Sequence, residues 1–243
     1  MWHFSNNEDS PKNERTFKMK VFLHLVLSQF IAANKSGENI VIDKSMILFR
    51  GRLKFRQQYM PGKAHKFGIK LFKVCDPKCY TYRIIVYPGK SETVSTNLTT
   101  DTVMKLVQDI DAGRTVCTDN YYTNLHLANQ LLDRRTHLNG TLRATGKGLP
   151  KSVMSAKLKK GEVIGLENSS GIVVIKWKDK RNVYFLSTKH EDVQVNTGKQ
   201  NKQKENIAKP EAIMCYNVCK IENRSFRPTL FLLQMSEKSN SVI

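Results

Sequence analysis

Apolar residues recur at two different periods along this chain, and the switches between them divide it into elements. From residue 17 to residue 33, Met19, Phe22, Val26, Phe30 and Ala33 fall three and four apart, the spacing of a helix with one buried face. Residues 34–39 read as a loop. The uninterrupted run Ile40-Val41-Ile42 then predicts a strand covered on both sides, with Asp43 at its end. Residues 67–75 (FGIKLFKVC) and 80–87 (YTYRIIVY) predict an antiparallel pair joined by the turn Asp76-Pro77-Lys78. Thr100 can cap a helix carrying Val103, Leu106, Val107 and Ile110, which Gly113 closes. A strand over residues 115–118 delivers Asp119. Thr123 opens a helix carrying Leu125, Ala128, Leu131 and Leu132, and another strand is predicted over residues 138–143. Helices alternating with strands in this order predict an α/β fold on a mixed sheet.

Beyond residue 150 the pattern changes. GEVIGL, GIVVIKW and NVYFLST are short β-type runs separated by polar turns, so residues 151–191 read as a β-rich insertion after a core spanning 1–150. Residues 192–210 are Lys/Gln/Asn-rich with almost nothing to bury and are expected to be a mobile linker, leaving 211–243 as a C-terminal tail. No internal repeat is evident.

Composition adds a partner class. Of 243 residues, 40 are Lys or Arg and 21 Asp or Glu, a formal charge of +19, which points to a polyanion. Excess lysine could merely solvate the surface, so distribution matters. Between Lys44 and Lys73 stand Arg50, Arg52, Lys54, Arg56, Lys63, Lys66 and Lys70, with no acidic residue before Asp76. A second acid-free run after Asp133 carries Arg134, Arg135, Arg143, Lys147, Lys151, Lys157, Lys159 and Lys160 before Glu162. Clustering of this kind favours phosphate contacts, hence nucleic acid. No run approaches the ~20 apolar residues of a membrane span, and there is no secretory leader pattern, so an intracellular setting without membrane association is expected. Five cysteines fit reduced thiols better than a disulfide scaffold.

Both Asp43 and Asp119 close apolar strand-like runs, a natural placement for site carboxylates, although each could also serve as a turn or cap residue. The segments IDKSMILFRGRLKFRQQYMPGKAHKFGIKLFKVC, TDNYYTNLHLANQLL, GTLRATGKGLPK and KWKDKRNVYFLSTKH, in this order, resemble the piggyBac family of transposases and their domesticated derivatives. The resemblance runs from about Trp2 to Asn217 and takes in the lead-in MWHFSNNE and the segment KPEAIMCYN. It implies a ribonuclease-H-like mixed sheet with flanking helices, interrupted by a small β-rich insertion. It also implies ancestral magnesium-dependent DNA cutting and rejoining, in which Asp43 and Asp119 correspond to the first two of three carboxylates. Such sites hold two metal ions roughly 3.5–4 Å apart, and hard magnesium takes oxygen ligands.

The chain departs from that pattern after Tyr216-Asn217. Family members continue into a Gly-Gly-Val-Asp motif bearing the third carboxylate, whereas this sequence reads Val218-Cys219-Lys220-Ile221-Glu222-Asn223-Arg224. No aspartate follows Asp192, and Arg224 falls where counting places the missing one. Glu222 lies off register and lacks the glycines that let the backbone turn. The closing segment SFRPTLFLLQMSEKSNSVI resembles nothing in the family, and the family's N-terminal region and cysteine-rich zinc module have no counterpart, so the C-terminal part of the fold is expected to be missing and no zinc is expected. Cys75/Cys79 and Cys215/Cys219 read as ordinary thiols. Thr145-Gly146-Lys147-Gly148 lacks the spacing of a nucleotide-binding phosphate loop and reads as a basic DNA-facing loop.

Three functions stay open at this point. The first is a catalytically inactive, transposase-derived DNA-binding protein using Arg50, Arg52, Lys54, Arg56, Lys63, Lys66, Arg143, Lys147 and Lys151, with weak or no magnesium binding at a vestigial Asp43/Asp119 site. The second is a magnesium-dependent nuclease or strand transferase completed by Glu222 or a partner. The third is a non-catalytic interaction module or degenerate product. A nuclear or nucleocytoplasmic location and either homo-oligomers or a host protein partner fit the first.

Overall fold

The computed structural model describes residues 16–48, 58–59, 67–89, 97–110, 112–200 and 206–225. Sixteen elements run in the order α1 (Phe17–Ala33), β1 (Asn39–Leu48), β2 (Gln58–Tyr59), β3 (Phe67–Cys75), β4 (Thr81–Val86), α2 (Leu98–Leu106), β5 (Thr115–Thr118), α3 (Leu125–Asp133), β6 (His137–Thr141), α4 (Lys151–Ser155), β7 (Val163–Glu167), β8 (Val173–Lys178), β9 (Asn182–Ser187), β10 (Gln194–Gln200), β11 (Asn206–Pro210) and α5 (Glu211–Ser225). No helix among the described residues is long and apolar enough to cross a membrane.

Nine strands form one mixed sheet, ordered β2-β3-β1-β5-β6-β9-β8-β7, with β4 also pairing β3. Its N-terminal half has the antiparallel β4-β3-β1 ladder followed by the parallel steps β1-β5 and β5-β6. The expected ribonuclease-H-like mixed sheet is therefore present. Strands β7–β9, expected as a separate insertion, continue the same sheet because β9 pairs antiparallel with β6 through Asn139↔Ser187, Gly140↔Leu186 and Thr141↔Phe185. The reason lies in β8, whose run Val173-Val174-Ile175 is buried on both faces and needs cover above and below.

Alternation along β1 sorts the core into two layers. Ile40 and Ile42 pack with Phe72, Val74, Leu127 and Leu131 beneath α2 and α3, while Val41 packs with Cys75, Cys117, Ala212, Tyr216 and Cys219 against α5. Helix α3 is capped by Asn124, whose Oδ1 accepts from Leu127 N at 2.8 Å, one residue later than Thr123 was expected to act. Thr123 has another task, described below. Thr100 likewise lies buried inside α2 instead of capping it, and α2 ends at Leu106, well before Gly113. The expected buried face of α1 is only half-buried, and Ala33 is exposed.

Two expectations change near the C-terminus. Residues 192–210, expected as a linker, contain the β10-β11 hairpin. A backbone ladder needs no apolar side chains, and polar groups reinforce this one: Thr197 Oγ1 donates to Ile207 O at 2.7 Å, and Gly198 N donates to Asn196 Oδ1 at 3.0 Å. Residues 211–225, assigned to the tail, form α5, because Ala212, Ile213, Tyr216 and Cys219 fall on one helical stripe and are buried. The lead-in before residue 16 and the tail after residue 225 lie outside the described residues.

Candidate nucleic-acid interface at the sheet edge

Strands β1 and β5 run parallel with a constant offset, Asn39↔Thr115 through Val41↔Cys117. Asp43 on β1 and Asp119, one residue past the end of β5, each lie two residues beyond the last pair of that ladder, Val41↔Cys117, in the same chain direction. Adjacent strands lie about 4.8 Å apart. The antiparallel partner of Asp43 is Lys73, whose Nζ stands 4.0 Å from Asp43 Oδ2. Asp43 is 42% exposed, so this is a weak, solvent-screened pair.

Asp119 is held differently. The carbonyl of Asp119 accepts from Tyr122 N and Thr123 N at 3.1 Å and from Thr123 Oγ1 at 2.9 Å, while its Oδ1 accepts from Tyr121 N at 3.0 Å. Thr118 and Thr123 share a hydroxyl–hydroxyl bond of 2.7 Å across the same turn. Gly140 on β6 makes that possible: a Cβ there would stand 2.6 Å from Thr118 Oγ1 and 2.7 Å from the Thr118 carbonyl, and closer still to Thr123 Oγ1. Sequence reasoning gave Gly140 and Thr118 no role and Thr123 only that of opening a helix; the signal available was a glycine inside a predicted strand, which marks close backbone approach.

Tyr121 and Tyr122 follow directly. Tyr122 is buried, edge-on to Tyr121 at 4.9 Å and to Phe72 at 6.2 Å, and its hydroxyl has no hydrogen-bond partner among the described residues. Burial pushes its phenol well above the usual tyrosine value, and the charges of Asp119 and Asp43 push the same way. Tyr121 gathers cations. Lys44 Nζ lies 4.8 Å from its ring centroid, Lys70 Nζ 5.5 Å and the Arg143 guanidinium 5.9 Å. Lys70 also sits 4.4 Å from the Tyr87 centroid and 4.6 Å from Phe72. Burial, then the charge of Lys44, lowers the Lys70 ammonium from its ordinary value. None of these aromatic–cation partnerships was expected from the sequence, which shows only that NYYTN follows Asp119.

Of the predicted basic residues, Arg143 and Lys147 are exposed and line one cavity beside the Asp119 turn. Lys151 opens α4 and is also exposed. Arg50, Arg52, Lys54, Arg56, Lys63 and Lys66 lie outside the described residues.

A third carboxylate does not join the pair among the described side chains, and no group of three His, Cys, Asp or Glu there converges to hold a metal ion. Where the resemblance expects a glycine-rich turn, α5 stays helical through Ser225. Cys219, buried in one cluster with Cys117, packs the helix against β5, and Glu222 follows three residues later with its side chain outside those described. Magnesium can be held by one or two carboxylates with substrate phosphates and waters, but a two-ion cage needs more oxygen ligands than Asp43 and Asp119 offer. The described donor set does not fit that cage.

Comparison with known proteins agrees with this geometry. One solved structure, a piggyBac transposase synaptic complex with hairpin DNA, superposes with a TM-score of 0.78 at 25% identity, covering 92% of this chain. The chain spans 47% of that transposase, about half its length. A family model described as Transposase IS4 matches residues 1–225. With the sheet order, the paired aspartates and this match in place, the chain belongs to the piggyBac-type Transposase IS4 family.

Proposed function

We propose that this chain is a transposase-derived DNA-binding protein that lacks strand-transfer activity and grips phosphates through its basic side chains. The observation that carries the reading is the charge around the aspartate pair. Lys73 stands beside Asp43, while Lys44, Lys70 and Arg143 surround the ring of Tyr121, adjacent to Asp119. Four cations against two carboxylates make the sheet edge attractive to a phosphodiester without any metal. The similar transposase is seen with DNA, which supports the same ligand class here.

The test is duplex binding with and without chelator, followed across salt. Affinity should survive chelation and fall ~10³- to 10⁵-fold between about 50 and 200 mM salt if ~6–10 phosphates are contacted. Replacing Asp43 and Asp119 together by Asn should leave binding unchanged or tighten it, because the carboxylates repel phosphate. Salt-insensitive binding, or clear weakening in the double variant, would overturn the reading.

A second reading, a divalent-metal nuclease, draws on one observation: α5 carries Glu222 less than a turn beyond Cys219, which packs against β5. Supercoiled plasmid nicked in magnesium or manganese by the parent protein, and left intact by Asp43→Asn, would establish it in place of the first.

A further inference from the structure

A second cavity opens on the other half of the sheet, between residues 154–158 and strands β8 and β9. It measures about 410 Å³, within the ~300–1,000 Å³ of ligand sites. Lys176 is its most buried lining residue. This lysine stands opposite Tyr184 in the β8-β9 register and is 3% exposed, and its Nζ donates to the carbonyls of Met154 and Ala156, each at 2.7 Å. An ammonium has three donors, and a buried charge is costly unless its partners are complete. The ring face of Tyr184, its centroid 5.4 Å from Nζ, covers another side, and no carboxylate among the described residues forms an ion pair with Lys176. Glu162, whose backbone pairs with Lys178, spends its Oε2 on Lys159 N at 2.6 Å. Lys157 and Lys178 add two more cations, and no acidic residue lines the cavity.

We infer that this cavity receives a glutamate or aspartate side chain from an acidic segment of a partner protein, its carboxylate on Lys176 Nζ and the neighbouring acidic residues on Lys157 and Lys178. Charge complementarity selects an anion, and the buried position of the third ammonium donor selects an anion that can reach it. A carboxylate on a narrow methylene stem passes between Met154, Leu158 and the Tyr184 ring, which are half-buried and offer apolar surface to the stem. The phosphates of a DNA duplex are fixed on a wide rod and meet exposed lysines instead. Asn182, exposed at the rim, offers a carboxamide donor and acceptor to the peptide backbone. The inference goes beyond the DNA-binding reading and does not rest on it: β8 and β7 end the sheet, beyond β6 and β9 from the strands that carry the aspartate pair.

The experiment follows labelled pentaglutamate by fluorescence anisotropy on the full chain at about 150 mM salt, where screening over about 8 Å suppresses diffuse attraction to the basic surface. Lys176→Met should weaken binding by about 10- to 150-fold, the loss of one charge-assisted hydrogen bond. Lys160→Met removes the same charge from an exposed position outside the cavity and should cost less than about two-fold. Lys157→Gln, at the exposed mouth, should cost about 1.5- to 5-fold. Because Lys176→Met also frees the carbonyls of Met154 and Ala156, a readout on the parent protein accompanies it. The Lys176 ammonium signal in NMR spectra, assigned by its disappearance in Lys176→Met, should move on adding pentaglutamate and stay in place with pentaglutamine. Equal losses in Lys176→Met and Lys160→Met, or an unmoved Lys176 signal, would overturn the site. A signal that moves with blunt duplex and not with pentaglutamate would assign the cavity to nucleic acid and overturn the peptide occupant. Loss of the DNA-binding reading would leave the pentaglutamate results unchanged.

Discussion

The two faces of the central sheet carry the same kind of core and opposite kinds of edge. Beneath α2 and α3, the alternation Ile40, Ile42 runs on to Lys44, paired in register with Phe72, and ends in the cluster of Lys44, Lys70 and Arg143 about Tyr121. Beneath α5, Val41 runs on to Asp43, paired with Lys73, and the cover is a helix that stays regular where a turn bearing another carboxylate is expected. One face ends in positive charge gathered against aromatic rings. The other ends in a half-exposed carboxylate with a weak cation partner. The difference teaches that one sheet can place unlike charge on its two faces: alternation along β1 sends Lys44 toward the aromatic side and Asp43 toward the α5 side.

The largest blow to this arrangement is expected on the α5 face. Phe185 is fully buried and meets Tyr216 edge-on at 5.3 Å, so Phe185→Ala should cost about 3–5 kcal/mol and loosen α5, read as a lower urea midpoint. A milder loss is expected where the two faces meet at the Asp119 turn. Gly140→Ala drives a methyl group into the Thr118–Thr123 hydroxyl pair and should cost about 1–3 kcal/mol, with the backbone amide signals of residues 118–123 moving most in NMR spectra. Stabilisation is expected on the other face. Tyr122→Phe removes a buried hydroxyl without a partner among the described residues and should raise stability by about 1 kcal/mol; a decrease of that size would mean the hydroxyl has a partner.

The smallest effect is in alkaline stability. Burial pushes the Cys75 thiol up to about 12, and hydrogen bonding with Cys219, then burial, raises that of Cys117. A thiol that ionises more readily in the unfolded chain than in the fold contributes stability that is intact below its ordinary value near 9 and is lost as pH rises from there toward 12. Thermal midpoints should therefore fall across that window, and less steeply in Cys75→Ser once its lower starting stability is subtracted. The same protection predicts slow alkylation of Cys75 and Cys117 at neutral pH compared with the partly exposed Cys79.

Much of the fold was legible because burial leaves a periodic mark. The run Ile40-Val41-Ile42, the pair FGIKLFKVC and YTYRIIVY, and the short runs of β7–β9 are each apolar in the pattern their burial requires, and each became a strand. What hid the β10-β11 hairpin is that backbone pairing leaves no such mark in Lys/Gln/Asn-rich sequence. Helix α5 was obscured because its buried stripe mixes Ala212, Ile213, Tyr216 and Cys219 with Met214 and Cys215, which blur the contrast between faces. Caps were misplaced by one to three residues where several hydroxyl and amide side chains compete: Thr123 was spent on Asp119 and Thr118, leaving Asn124 to cap α3.

From the sequence alone came the two aspartates at strand ends, the broken third motif and the basic bias, since residue identity and local periodicity are written in one dimension. Only the tertiary structure decided that Asp43 and Asp119 both follow the parallel β1-β5 ladder, that Lys44, Lys70 and Arg143 converge on Tyr121, and that Gly140 makes room for the turn. Those relations join residues 17 to 77 positions apart in the chain, and they are fixed by strand register and packing, which no local pattern encodes.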